Sequence, residues 1–201
     1  MDSPALYRTL TQQIVDQLRA EVLSGHLPIG TPLREKVLAD RFGVSRGPIR
    51  DSLLQLTYEG LLVSKPNCGA MVGRTLCERL QPLVVTLRRQ IETHALDMLF
   101  EDKIDVVPGL EHTCEQLRMA CEAEDMPAVV KHDMAFHRCI VESHGNDEMV
   151  AIWRPIVVRM MLHYMRHKDL MDSYHEHVSI VDAIRQGHQK KAICALEKNI
   201  Q

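Results

Sequence analysis

The apolar positions in the first third of the chain recur at helical spacing in successive short stretches. The first stretch predicts a helix whose apolar residues lie four apart, namely Leu10, Ile14, Leu18 and Val22. A Ser-Gly-x-x-Pro turn at residues 24–28 is typical of its end. The second stretch predicts a short helix with the apolar residues Leu33, Val37, Leu38 and Phe42. Gly43 closes that helix, because glycine readily takes the left-handed conformation of a C-terminal cap.

A third helix and a hairpin follow. Ser45 is placed to cap the third helix, and Pro48 falls in its first turn, where the missing N–H does no harm. The apolar residues of this helix are Ile49, Leu53 and Leu56. Gly60 ends it, and residues 61–72 then hold two short apolar runs on either side of a polar tip, which predicts a β-hairpin. The predicted order is helix, helix, turn, helix, hairpin.

Beyond residue 76 the apolar residues recur at helical spacing throughout. A long helix is predicted from one apolar face, made of Leu83, Leu87, Ile91, Ala95 and Leu99. Later helices are predicted from Leu110, Leu117, Cys121, Val129, Met134, Ile140 and Val141, and the last two from Ile180, Ile184, Ala192 and Leu196. Residues 152–165 are dense enough in apolar side chains to predict a central, largely buried helix. We therefore expect an all-α helical bundle here and a mainly α chain.

Charge and composition change along the chain at the same place. Residues 1–75 contain nine Lys and Arg against seven Asp and Glu, whereas residues 76–201 contain fifteen against twenty. We therefore expect two domains with these boundaries. No apolar run approaches the roughly 18 residues that a membrane helix needs, and no basic and apolar leader opens the chain. The sequence thus predicts a soluble, cytoplasmic protein without a membrane partner.

A cluster of cations stands at the second and third predicted helices. Residues 34–50 carry two carboxylates against five cations, which are Arg34, Lys36, Arg41, Arg46 and Arg50. A helix-turn-helix presents the N-terminal side chains of its second helix to base edges in the major groove, and arginine can donate two parallel hydrogen bonds to guanine. Arg46 and Arg50 lie on one helical face, while Ser45 and Gly47 are small enough for close approach to a phosphate. The residues alone leave a solvated basic helix as the alternative.

The motifs of this region resemble the winged-helix DNA-binding domain of GntR-type bacterial transcription regulators. The resemblance covers residues 6–74 and rests on G-H-L-P-I-G-T-P-L-R-E, L-A-D-R-F-G-V-S-R-G-P-I-R-D-S-L and L-x-x-E-G-L-L. It implies DNA contacts by Lys36, Arg46 and Arg50, and a wing tip at Gly69 that approaches the minor groove. Lys36 departs from the usual Arg and gives up two-pronged hydrogen bonding there.

A candidate metal site lies in the helical part. Asp133 and His137 are four apart, so on a helix they project from one face and lie close enough to share a cation. Chance pairs are expected, because ten of the eleven His fall beyond residue 75. The spacing alone therefore leaves a structural or solvated pair as the alternative.

The same part of the chain, residues 78–201, resembles the FCD ligand-binding domain of the FadR-like branch of these regulators. The matching segments are D-M-A-F-H, E-H-V-S-I-V-D-A-I-R-Q-G and A-L-E-K-N-I. The resemblance implies a divalent metal held by Asp133, His137 and His177 above an effector pocket, and a site of two imidazoles and one carboxylate suits zinc, nickel or manganese. The final His of the family falls on Asn199, whose neutral amide is a poor ligand. Asn199 could coordinate weakly, water or the effector could take this position, or the site could bind no metal.

Arg88 and Glu92 form a further pair four residues apart, which matches an R-x-x-x-E motif of the same family. A structural ion pair is one interpretation. The other makes Arg88 the two-pronged donor that grips the carboxylate of an effector. Asn199 is then expected to lie at the same effector site.

These observations predict a transcription regulator, a repressor that is not an enzyme. A two-fold protein engages the two half-sites of a palindrome, so we expect a homodimer on double-stranded, palindromic operator DNA. A small carboxylate metabolite bound in the helical domain would control operator affinity. Two alternatives remain at this point. One is a metal-dependent enzyme that uses Asp133, His137 and His177, and the other is a DNA-binding protein without an effector.

Overall fold

The computed structural model describes residues 9–65, 69–73, 77–161 and 169–200. The chain divides into two compact units, Met1–Thr75 and Leu76–Gln201. In the described part of the chain, no helix is both long and apolar enough to cross a membrane.

The first unit combines three helices with a small antiparallel sheet. Its helices are α1 (Leu10–Leu23), α2 (Glu35–Phe42) and α3 (Arg46–Tyr58). Its strands are β1 (Pro32–Leu33), β2 (Leu62–Lys65) and β3 (Gly69–Val72), and they pair in the order β1-β3-β2. The predicted helices and hairpin are therefore present, whereas most of the predicted hairpin tip, residues 66–68, lies outside the described residues.

The core of the first unit forms where the predicted stripes of α1 and α3 meet. Ile14, Leu18, Ile49 and Leu56 are at most 1% exposed. A fork of two hydrogen bonds also joins the helices, because Nε and Nη2 of Arg19 donate to the two carboxylate oxygens of Glu59 at 2.9 and 2.7 Å. This packing holds α3 on the rest of the unit and leaves its first turn exposed.

Three sequence-based expectations for the first unit are corrected. Leu33 lies in β1, opposite Ala70, and not in the second helix. Val37 is 60% exposed, because a helix of eight residues buries little more than Leu38 and Ala39. Ser45 is the N-cap residue of α3, but its side chain makes no capping hydrogen bond.

The second unit is helical in its described residues. Its helices are α4 (Gln81–Glu101), α5 (Val107–Glu122), α6 (Met126–Glu142), α7 (Asp147–Met161), α8 (Leu170–Arg185) and α9 (Gln189–Asn199). An N-terminal helix-turn-helix unit followed by this helical unit confirms the predicted mainly α fold class.

Two predicted helix faces in the second unit are corrected. On α4, Leu83 and Leu87 are 54% and 38% exposed, whereas Arg88 and Glu92 are buried. The predicted central helix at residues 152–165 begins at Asp147, and Ile152 is 62% exposed. Residues 162–168 lie outside the described part. Periodicity predicts which residues form the apolar face of a helix. It does not predict which other part of the structure, if any, packs against that face.

Candidate functional site

Two sites stand out, and the first is the turn between α2 and α3. Gly43 caps α2 in the left-handed conformation, with φ of 66°, and its N–H donates to the carbonyl of Ala39. Only three residues, 43–45, separate α2 from α3, which begins at Arg46. This is the helix-turn-helix that the cation cluster predicts.

The side chains predicted to contact DNA are on the outside of the first unit. The exposed set comprises Arg34, Lys36, Ser45, Arg46, Gly47, Arg50 and Gly69. Gly69 has φ of 76°, a conformation that favours glycine. A Cβ at Gly47 would meet no atom within 4 Å, and the φ of this residue is not positive. Folding therefore does not explain the glycine at position 47.

Two of the five cations of the cluster, Arg50 and Arg41, form ion pairs with carboxylates. Nε and Nη2 of Arg50 each lie 3.1 Å from the carboxylate oxygens of Glu35, and the Arg50 side chain remains 68% exposed. The hydrogen bond from Arg50 is the main reason that the pKa of Glu35 is lowered. Arg41 instead forms an ion pair with Glu21 of α1. Arg50 is thus presented at the surface next to an acid, and Arg41 braces α2 against α1.

The second site is a buried cluster in the helical unit. Asp133 and His137 lie one turn apart on α6, and His177 comes from α8. The three residues are at most 3% exposed. One ligand atom of each lies within 4.8 Å of the others, so the group could hold a metal ion. The structure therefore brings together the three residues that the sequence proposes as ligands.

Hydrogen bonds select the neutral tautomer of the two histidines. Nδ1 of His177 donates to the carbonyl oxygen of Ser173 at 2.7 Å, and Nδ1 of His137 donates to Oε2 of Glu92 at 2.6 Å. Both acceptors lack a proton to give, so each Nε2 carries a lone pair when the imidazole is neutral. Neither Nε2 has a hydrogen-bond partner among the described residues.

The geometry of the cluster fits a cation. Nε2 of His177 lies 3.5 Å from Oδ1 of Asp133. Burial lowers the pKa of His177 to about 4, by more than the Asp133 charge raises it, so the imidazole is neutral near pH 7. A lone pair and a carboxylate repel each other at this distance, whereas a cation between them would attract both. Two imidazoles and a carboxylate are ligands that suit divalent zinc, nickel or manganese.

Glu92 collects donors beside this cluster. Its Oε1 accepts from Nε of Arg88 at 2.8 Å and from Nε1 of Trp153 at 2.7 Å, while Oε2 accepts from His137. Burial would raise the pKa of Glu92, but the charges and hydrogen bonds of Arg88 and His137 lower it to about 2. Arg88 is 4% exposed, and its Nη2 has no hydrogen-bond partner among the described residues. The ion pair is therefore real, and one guanidinium nitrogen remains available.

Asn199 occupies the last position of α9 and is buried. Its Nδ2 donates to Oε2 of Glu176 at 3.1 Å, and Glu176 precedes His177 on α8. The Asn199 side chain is therefore held by a carboxylate next to a candidate ligand.

Sequence reasoning missed Trp153 and Glu176. Trp153 is the one tryptophan of the chain, and its N–H needs a partner when buried, which is a signal that some buried acceptor must face it. No sequence spacing connects Trp153 to Glu92 or Glu176 to Asn199, since these contacts span 61 and 23 residues.

Comparisons with known families match both units. A family model described as "Bacterial regulatory proteins, gntR family" matches residues 10–72. A second family model, described as "FCD domain", matches residues 83–201. The two matches together span most of the chain.

Individual relatives agree with these matches. A Paenarthrobacter nicotinovorans protein described as "Probable D-xylose utilization operon transcriptional repressor" is 27% identical, over 96% of this chain and 86% of its own length. A Streptomyces ambofaciens protein described as "Uncharacterized HTH-type transcriptional regulator in unstable DNA locus" is 30% identical, over 96% of this chain and 83% of its own length. The solved structure of "E. coli McbR/YncC" has a similar fold, with a TM-score of 0.82 and 22% identity over 96% of this chain and 94% of that chain.

Proposed function

Because the chain belongs to the GntR family of bacterial regulators and its C-terminal part is an FCD domain, we propose that it is a transcriptional repressor whose hold on DNA is controlled by a small organic acid. The acid and a divalent cation bind in the helical unit. The observation that carries this proposal is Nη2 of Arg88, which is buried beside the Asp133, His137 and His177 cluster and has no hydrogen-bond partner in the described part of the chain. Repression is supported by the similarity to the D-xylose operon repressor. The protein acts in the cytoplasm, where bacterial DNA lies.

The first unit binds the operator through α2 and α3. Arg46 and Arg50 read base edges in the major groove, and Lys36 and Arg34 contact phosphates. Ser45 and Gly47 allow close approach of the backbone, and Gly69 turns the wing toward the minor groove. Their common exposure supports these roles.

The second unit binds the effector and the cation. Asp133, His137 and His177 would hold zinc, nickel or manganese, which would supply positive charge for the carboxylate of the acid. Arg88 donates a hydrogen bond from Nη2 to the same carboxylate. Asn199, held by Glu176, faces the acid without adding a fourth strong ligand.

The repressor works as a homodimer on a palindromic operator. Three leucines at the start of α4 form an exposed apolar patch, which supports an interface on this surface. Leu80, Leu83 and Leu87 recur at helical spacing and are 48%, 54% and 38% exposed. A second copy of the chain would cover them. Light scattering of the protein and of a Leu83→Asp variant tests this point, and we expect a dimer that the variant converts to monomers.

The decisive experiment measures operator affinity against a panel of acids. Operator DNA is first selected from random duplexes, and its dissociation constant is then measured by fluorescence anisotropy with sugar acids and with di- and tricarboxylates, in the presence and absence of Zn²⁺. One acid should weaken DNA binding about fivefold or more, the lower end of typical coupling between sites. A parent protein that responds to no acid, with or without zinc, would contradict effector control.

Arg88→Gln tests the proposed effector contact, and Arg138→Gln is the matched control. Arg138 also pairs with a glutamate four residues on, Glu142, but this pair is exposed on α6. We expect Arg88→Gln to lose the response to the acid, because the carboxylate loses its donor. Arg138→Gln should respond as the parent does. An unchanged response in a folded Arg88→Gln variant would refute the role of Arg88.

A further inference from the structure

Glu92 joins the two groups that the proposed function uses separately. It is fully buried on α4, and it accepts hydrogen bonds from side chains of α4, α6 and α7. One donor is Arg88, the proposed effector contact. Another is His137, a proposed metal ligand. A single carboxylate thus stands between the arginine and the cation site.

Each of these two donors bonds Glu92 through one nitrogen and has another nitrogen for a second role. Arg88 uses Nε for Glu92 and retains an unpartnered Nη2, and His137 uses Nδ1 for Glu92 and retains an unpartnered Nε2, within the described residues. Because Nδ1 of His137 donates to Glu92, its ring has one orientation and one neutral tautomer. That tautomer presents a lone pair to the cluster.

Electrostatic interactions also link the effector contact of Arg88 to cation binding at the cluster. In the low dielectric of a buried site, the positive charge of Arg88 opposes a nearby cation, while the negative charge of Glu92 favours it. An organic carboxylate on Arg88 would neutralise the arginine and leave more of the negative potential of Glu92 for the cation.

We propose that Glu92 is a positioning residue that couples Arg88 to the cation site, so that neutralising Arg88 tightens cation binding. This inference rests on the proposed function, because it assumes that Asp133, His137 and His177 bind a divalent ion. Coupling is reciprocal, so bound cation strengthens the grip of Arg88 on a carboxylate by the same factor. The acid and the metal are then joint effectors.

The test uses Zn²⁺ alone, with the full chain and a competing chromophoric chelator. Glu92→Gln should weaken zinc binding by roughly 10- to 100-fold, the usual effect of losing a partner that orients a ligating histidine. Arg88→Gln should tighten zinc binding relative to the parent. Glu142→Gln and Arg138→Gln, the exposed pair of the same type on α6, should bind zinc as the parent does.

The opposite signs separate coupling from simple damage to the fold. Unfolding or loosening of the site weakens zinc binding. Tighter binding of zinc to Arg88→Gln would therefore report the lost charge and not damage to the fold. This result stands even if Glu92→Gln fails to fold. Zinc that binds Arg88→Gln no more tightly than the parent would overturn the coupling, as would unchanged affinity in Glu92→Gln. A parent chain that binds no zinc would instead overturn the metal part of the proposed function, and the coupling with it.

Discussion

The ion pair between Arg50 and Glu35 makes a two-sided prediction for DNA binding. Glu35 occupies the Nε–Nη2 edge of Arg50 through two 3.1 Å hydrogen bonds at the surface, so two-pronged donation from that edge to a guanine requires release of Glu35. Exposed pairs of this kind contribute less than about a factor of five to an equilibrium constant. A two-pronged contact to a base contributes roughly 5- to 150-fold in discrimination. The base contact therefore dominates.

Two substitutions should act in opposite directions. Arg50→Ala should weaken binding to the selected operator by roughly 5- to 150-fold and relax base preference at one position of each half-site. Glu35→Gln should tighten binding, by up to about fivefold, because it frees Arg50 and removes a negative charge near the phosphates. Anisotropy titrations with the operator and with single-base variants measure both effects.

Salt dependence supplies the control. Lys36→Ala should weaken binding to all sequences alike and reduce the slope of affinity against salt by about one ion. Thermal unfolding of each variant should match the parent, since Arg50 and Lys36 are exposed. Undiminished affinity and specificity in Arg50→Ala would refute the placement of the recognition helix. Weaker binding in Glu35→Gln would show that this acid organises the DNA-binding face and does not hold Arg50 back.

Three further predictions concern stability. Gly47→Ala should stabilise the protein by roughly 0.5 kcal/mol in urea unfolding, since the added Cβ meets no atom within 4 Å. The same change should weaken operator binding, and unchanged DNA affinity would contradict a close approach of the backbone to the DNA. Glu59→Ala should cost about 3 kcal/mol in the same assay, because Arg19 loses both hydrogen bonds to Glu59 and keeps the ion pair with Asp16, and a loss below about 1 kcal/mol would contradict this. The lowered pKa of Glu92 should make stability fall as pH drops from about 4.5 to about 2, and acid titrations by circular dichroism should show a flatter fall in Glu92→Gln.

The first unit was predictable because neighbouring residues specify its elements. Gly43 adopts the left-handed conformation that the sequence requires of it, and the stripe from Ile14 to Val22 is buried. The short strand at Leu33 was not predictable in this way. Its partner is Ala70, 37 residues away, and two residues carry no periodicity.

In the helical unit, apolar periodicity does not predict which residues of α4 are buried. A stripe at 3.6-residue spacing shows that one face of α4 is apolar, but Leu83 and Leu87 on that face are exposed. Arg88 and Glu92 are buried instead, because donors from α6 and α7 meet Glu92, which also accepts from Arg88. Burial of a charged pair depends on partners that lie far away in sequence.

The sequence by itself determined the spacing of Asp133 and His137, because one helical turn places residues four apart on the same face. Only the tertiary structure decided that α8 sets His177 against them and that Glu92 orients His137. The physical reason is that periodicity encodes which residues share a face, whereas packing between helices selects which faces meet. The tautomers and free nitrogens of the cluster follow from that packing.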